Sequence, residues 1–329
     1  MIEVKGLTKQ YGSHTAVSDL TFTVDNGQIY GLLGPNGAGK TTTMNIITGC
    51  LAASSGQVRI DGHDIFEEPD AAKRLIGYLP EMPPLYQDMT PKEYLEFVAR
   101  AKGVKKADLQ EQLQQVIQVT QIIDVQNRLI KNLSKGYKQR VGIAQALLGD
   151  PEIIILDEPT VGLDPKQIIE IRALIKTLGK THTVILSSHI LSEVRAICDS
   201  ILILSNGKLV ASDTPENLEK LFAGSSTMEL TVKANREEAR QALAAITGIT
   251  QIDYANGKSE DLTDITLCYG KGTAPAEQIF FAFCRLKRPI LKMTETHVSL
   301  EDIFIELTSE KDTIPKLLEE TTTEKEEIV

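Results

Sequence analysis

Gly34-Pro35-Asn36-Gly37-Ala38-Gly39-Lys40-Thr41 decides how this chain is read. The stretch matches G-x-x-x-x-G-K-[ST]. It lies between an apolar run that reads as a strand, QIYGLL (residues 28–33), and one with helical spacing, TTTMNIITGCL (residues 41–51). Glycines at this spacing let backbone N–H groups wrap an anion, and the N-terminus of the following helix adds partial positive charge. Such a cradle suits nucleotide phosphates. Lys40 is expected on the β- and γ-phosphates and the Thr41 hydroxyl on Mg²⁺. A glycine-rich turn without phosphate is the alternative, and the strand-loop-helix context speaks against it.

Working outward, residues 1–33 read as short β-segments, with Asn26-Gly27 as a hairpin signal. Downstream, GQVRIDG (56–62) and LIGYLP (75–80) read as two more. Residues 88–132 then turn to Leu, Gln, Lys and Glu, which predicts a helical insert. Thr90-Pro91-Lys92-Glu93 opens it with a capping residue, a proline at the first helical position and a glutamate at the third. From residue 150, the apolar runs EIIIL, THTVILSS and SILILSNGKLV each follow a helical stretch, the alternation of an α/β core around a parallel sheet. After a weak boundary at Ala223-Gly224-Ser225-Ser226, residues 226–309 restart in the order β-α-β-β-α-β, which resembles a ferredoxin-like unit. Residues 310–329 hold seven acids against three lysines and are expected to form a disordered acidic tail.

With 329 residues, 42% hydrophobic and 24% charged, the chain fits two soluble globular domains. A net charge of −10 without a basic block argues against a nucleic-acid binder held by phosphate neutralisation. Cys50, Cys198, Cys268 and Cys284 show neither C-x-x-C spacing nor a histidine cluster, so reduced thiols of a cytosolic protein are expected. The charged N-terminus MIEVKGLTKQYG has no apolar signal core, and no apolar run approaches the ~18 residues that span a bilayer. Membrane work therefore calls for a separate partner chain.

A second constellation sits at Ile153-Ile154-Ile155-Leu156-Asp157-Glu158, an apolar strand that delivers two carboxylates at its carboxyl end, where α/β sheets place their ligands. Asp157 can hold Mg²⁺ through its water shell, and Glu158 can polarise an attacking water. Taken alone, a strand ending in Asp-Glu is more often a solvated loop. Together with the cradle and with Leu133-Ser134-Lys135-Gly136-Tyr137-Lys138-Gln139-Arg140, it resembles the ATP-binding cassette (ABC) family over roughly residues 1–220. The family's usual signature is LSGGQ, from which Lys135 and Tyr137 depart. Lys135 is read as facing solvent, with added positive charge near the site as the alternative.

The resemblance implies a fold and a set of roles. The fold is an α/β P-loop ABC nucleotide-binding domain with a helical insert over residues 1–222, followed by a small ferredoxin-like α+β domain. ATP would be held by Asn36, Gly37, Ala38, Gly39, Lys40, Thr41 and Thr42, with Tyr11 stacked on adenine and Val17 beside it. A tyrosine packing on the core is the alternative for Tyr11. His189, after Ser187-Ser188, resembles the switch histidine that contacts the γ-phosphate; Asp164 closes Val161-Gly162-Leu163-Asp164, a loop that links two sites. Ser134 and Gly136 would touch ATP bound on a second ATPase subunit, so that a homodimer or heterodimer sandwiches two ATP. Glu81, after GYLP, stands where the family has glutamine. It would join Thr41 and Asp157 as an Mg²⁺ ligand, crowding carboxylates around the metal, unless it is an exposed acid ending a strand.

The partner implied is an integral membrane permease, with this chain on the cytoplasmic inner face of the cell membrane. Val298-Ser299-Leu300-Glu301-Asp302-Ile303-Phe304-Ile305-Glu306-Leu307-Thr308 resembles the ending of ATPase subunits from drug, polysaccharide and gliding-motility transporters, which favours export. The competing readings are a soluble ABC ATPase acting on DNA or the ribosome, and a nucleotide-binding regulator without turnover.

Overall fold

The computed structural model describes residues 1–222, 225–244, 246–257, 259, 261–270, 275–296 and 304. The predicted acidic tail and, apart from Phe304, the 298–308 ending lie outside the described residues. The chain opens with β1 (Ile2–Tyr11), β2 (His14–Val24), β3 (Ile29–Leu33), α1 (Lys40–Ile47), β4 (Ser55–Ile60), β5 (His63–Asp64), α2 (Pro69–Arg74) and β6 (Ile76–Leu79). Helices α3 (Pro91–Ala101) and α4 (Leu109–Val119) follow, then α5 (Lys135–Leu147), β7 (Ile153–Leu156), α6 (Pro165–Leu178) and β8 (Thr183–Ser188). The first unit closes with α7 (Leu191–Ile197), β9 (Ser200–Ser205), β10 (Lys208–Asp213) and α8 (Pro215–Phe222).

Two sheets share this unit. The larger has the order β10-β9-β3-β8-β7-β6 and is parallel from β9 to β6. Its strands are apolar on both faces because both are covered: Ile29, Leu33, Ile154, Leu156, Val184 and Leu186 enter one core cluster, while Tyr30, Leu32, Ile153, Ile155 and Ile185 enter a second. The second cluster is shared with the smaller antiparallel sheet, β2-β1-β4-β5. In α3, the Thr90 hydroxyl accepts from the Glu93 N–H and the Glu93 carboxylate accepts from the Thr90 N–H, the reciprocal cap that the sequence predicts.

Two Asn-Gly pairs part company. Asn26-Gly27 does not make a hairpin: β2 pairs with β1, whereas β3 crosses into the other sheet between β8 and β9. Only Gly27 has positive φ there (74°), while the tight hairpin turn needs left-handed backbone at both central residues. Asn206-Gly207 meets that condition, with φ of 48° and 76°. The run SILILSNGKLV, read as one parallel strand, is therefore the antiparallel pair β9 and β10.

A second unit contains β11 (Ser225–Val232), α9 (Arg236–Leu243), β12 (Ile249–Asn256), β13 (Thr263–Gly270), α10 (Ala276–Arg285) and β14 (Ile290–Thr296). Its antiparallel sheet has the order β12-β13-β11-β14, and both helices add side chains, among them Leu243 and Phe283, to one core with Leu230, Leu267 and Tyr269. This is the arrangement of a ferredoxin-like unit.

Helix α5 crosses the edge strand β6 closely at Gly77, where a Cβ would lie 2.2 Å from the Ala146 carbonyl oxygen. Gly77→Ala is therefore expected to cost about 1–3 kcal/mol by overpacking, read as an earlier transition in chemical or thermal unfolding.

Candidate active site

Register brings the chemistry together. Leu33 of β3 pairs with Ser188, Leu156 of β7 with Leu186, and Leu79 of β6 with Leu156, so four neighbouring strands end nearly level. Gly34, Ser188-His189, Asp157-Glu158 and Pro80-Glu81 all leave from that carboxyl edge. The cavity above it, of about 470 Å³, is lined by Tyr11, Asn36, Gly37, Gly39, Lys40, Thr41, Thr42, Glu81, Glu158 and His189. His14 and Ala16, which sequence reasoning did not assign to the site, also line it, as does Val161, the first residue of the Val161–Asp164 loop.

The cradle keeps its shape through backbone that other residues rarely adopt. Gly39, the residue before α1, has φ 98°, and a Cβ there would lie 2.6 Å from the Ala16 carbonyl oxygen. Lys40 is buried; its Nζ donates to the carbonyl oxygens of Gly34 (2.8 Å) and Pro35 (3.2 Å) and stands 3.5 Å from Glu158 Oε1. Ala38 is buried and does not line the cavity.

Asp157 and Glu158 are both buried and are held from β8. Ser187 Oγ donates to Asp157 Oδ1 at 2.5 Å and accepts the Glu158 N–H at 2.8 Å. This double contact follows from the register, and no sequence motif marks it. Thr41 Oγ1 lies 3.4 Å from the same Asp157 oxygen, while Asp157 Oδ2 is buried without a hydrogen-bond partner among the described residues. Burial pushes the Asp157 carboxyl above its ordinary range, against the pull of the Ser187 and Thr41 hydroxyls. Glu158 adopts φ 47°, a left-handed conformation that costs energy outside glycine, and its Oε2 lies 2.9 Å from His189 Nδ1. Because a carboxylate only accepts, the hydrogen in that contact sits on Nδ1.

An orphaned carboxylate oxygen beside a threonine hydroxyl at a phosphate cradle fits a hard cation such as Mg²⁺. Glu81 is exposed on the cavity wall. Among the described residues, no group of three His, Cys, Asp or Glu side chains converges on a metal position, so the expected crowd of Glu81, Asp157 and Glu158 around one ion is not formed by the protein alone.

Tyr11 is half exposed at the cavity wall, with Lys9 Nζ 5.2 Å from its ring centre, and does not pack into the core. Val17 corrects the expectation of a side chain beside the base: it is wholly buried in the core under Gly39, and Ala16 and His14 line the wall instead. The β1–β2 strand alternation turns Val17 inward.

Ser134, Gly136 and Asp164 gather elsewhere, in a cleft of about 460 Å³ that shares no lining residue with the first. Ser134 caps α5, its Oγ accepting the Tyr137 N–H, and Asp164 caps α6 by accepting the Gln167 N–H. Gly136 is buried against Gln167, whose side chain would stand 2.8 Å from any Cβ. Lys135 is exposed, yet its amine lies over Gly162, 2.1 Å from where a Cβ would be, and so does not simply extend into solvent.

Residues 17–161 match the family model described as ABC transporter. The chain is 40% identical over 222 residues to the bacitracin transport ATP-binding protein BcrA of Bacillus licheniformis, covering 67% of this chain and 72% of that one. It is 33% identical over 313 residues to the uncharacterized ABC transporter ATP-binding protein YcbN of Bacillus subtilis (strain 168), covering 93% and 96%. Among solved structures it resembles a dimeric post-hydrolysis state of the ATP-binding cassette MJ0796 bound to ADP and Pi, at 26% identity and TM-score 0.59 over 65% of this chain and 98% of that one.

A carboxyl whose folded-state affinity for protons is raised destabilises the fold at neutral pH and is relieved as pH falls. Asp157→Asn is accordingly expected to weaken the relative gain in unfolding midpoint that the nucleotide-free chain shows as pH falls from neutral, read by calorimetry at two pH values. The same change is expected to remove any gain in nucleotide affinity from added Mg²⁺.

Proposed function

We propose that this chain, which belongs to the ABC transporter family of ATP-binding proteins, powers export through a separate membrane-spanning partner, working as a dimer that closes around two ATP. It is an ATP hydrolase. The observation that carries the dimer is the separation of the two clefts: Lys40, Glu158 and His189 stand at one, while Ser134 and Gly136 stand at another. In a head-to-tail pair, each signature cleft would meet the cradle of the other subunit. The start of α5 suits that role, because its first turn has no acid and its N–H groups favour an anion.

In this reading, phosphate at the cradle exchanges with the carbonyl contacts of Lys40, whose charge then neutralises the β- and γ-oxygens. Thr41, Asp157 and Glu81 would hold Mg²⁺, and the ion would supply further neutralisation of phosphate charge. Glu158 accepts a proton from the attacking water as the water's oxygen bonds to the γ-phosphorus and the bond to ADP breaks. His189 keeps Glu158 oriented through Nδ1, and in its imidazolium form the other ring nitrogen would donate to the γ-phosphate. Tyr11 offers an exposed ring for adenine.

The membrane partner has a fitting surface beside Glu81. Met82 is 83% exposed, and the half-exposed Tyr86 ring lies 5.4 Å from the half-exposed Phe97 ring of α3. An apolar patch on the insert next to the cavity is where a permease on the inner face of the membrane would sense nucleotide. Export is favoured because a relative is named for bacitracin transport. We assign the second unit a regulatory or dimerising role, supported by Phe280 and Phe281 exposed on α10.

Glu158→Gln is expected to bind ATP normally, lose turnover by about 100-fold or more, and run as a dimer in ATP by light scattering. Retained steady-state hydrolysis would reassign the base. Replacing Met82 and Phe97 with glutamate is expected to abolish copurification with an integral membrane chain, while ATP hydrolysis by the purified subunit is unaffected.

A further inference from the structure

Next to the residues of the site is a further buried polar group that the mechanism above does not use. Glu193, in α7, is buried, and its Oε2 accepts the Thr160 hydroxyl at 2.5 Å and the Ser188 hydroxyl at 3.3 Å. Its Oε1 lies 3.5 Å from the Arg172 guanidinium of α6. Thr160 follows Asp157-Glu158 by two residues, and Ser188 precedes His189. Ser188 Oγ also accepts the Ile190 N–H at 3.0 Å, which sets the turn around His189. A single carboxylate thus ties the loop after β7, at Thr160, to the carboxyl end of β8, at Ser188, next to His189.

The strands alone do not fix that contact. Glu158 sits in a strained left-handed conformation and His189 is exposed, so each belongs to a loop that needs an outside constraint to hold a 2.9 Å approach. Ser187 holds only the backbone of Glu158 and the carboxylate of Asp157. We propose that Glu193 is a positioning residue for hydrolysis, clamping the Thr160 loop to the end of β8 at Ser188 so that His189 and Glu158 stay together. It acts through His189 and touches no nucleotide. The proposal rests on the reading of Glu158 and His189 as the pair that handles the attacking water.

The test is a double-mutant cycle on the full chain, comparing Glu193→Gln, His189→Ala and the pair. Glu193→Gln keeps the shape but gives up the carboxylate that both hydroxyls and Arg172 share. A kcat loss of roughly ten-fold is expected, with KM for ATP and the unfolding midpoint little changed. In the His189→Ala background the same change is expected to alter kcat by less than about two-fold, because its route is already removed. Where Glu193→Gln folds poorly, Thr160→Val deletes one clamp bond without unpairing a charge and is expected to show the same dependence on His189. Full activity in a folded Glu193→Gln or Thr160→Val chain overturns the proposal, as does an undiminished loss without His189. A His189→Ala chain with normal kcat overturns the underlying site reading, and the proposal with it.

Discussion

Everything at this site depends on the in-register parallel pairing of β3, β8, β7 and β6. Parallel strands joined through helices all point their carboxyl ends the same way, and level register makes those ends neighbours at the spacing of adjacent strands. That one constraint places the phosphate cradle, His189, Glu158 and Glu81 around a common cavity, although they are far apart in the chain. A slip of one residue in β7 would exchange the inward and outward faces of Ile153–Leu156 and carry both carboxylates away from Ser187. The two apolar cores on either side of the sheet enforce the register, so the stability of the fold and the geometry of the site have the same origin.

The same edge concentrates buried charge. Lys40, Asp157, Glu158 and Glu193 are all withdrawn from water, where an ionic group is costly unless paired and hydrogen-bonded. Glu158 has Lys40 and His189; Glu193 has Thr160, Ser188 and Arg172; Asp157 retains an unpartnered oxygen. A fold selected only for stability would place apolar side chains here. Polar groups left under-satisfied beside a phosphate cradle are better understood as preorganised for charge that arrives with the substrate.

Much of this was legible in the linear sequence because certain residues can satisfy only one local geometry. The glycines around Lys40 and the Thr90–Glu93 cap carry their structural meaning without tertiary help, and the apolar run ending in Asp157-Glu158 gains its own beside that cradle. Asn26-Gly27 and Asn206-Gly207 show where that legibility stops. The same dipeptide is a chain crossing in one place and a hairpin in the other, because the choice of strand partner is made by packing across the sheet. Val17 was placed beside Tyr11 by the family resemblance alone, and such a match does not say which face of β2 meets the cavity: Val17 is buried in the core.

The sequence by itself determined the phosphate-binding chemistry, the helical insert and the α/β alternation, since these follow from residue type and spacing over a few turns of chain. Tertiary structure alone decided that Ser187 carries Asp157 and Glu158, that Glu193 joins two loops, and that Ser134 and Gly136 open on a different cleft from Lys40. Those relations link residues tens of positions apart, and a hydroxyl or a carboxylate acquires a partner only when strand register and helix packing bring it within hydrogen-bonding reach.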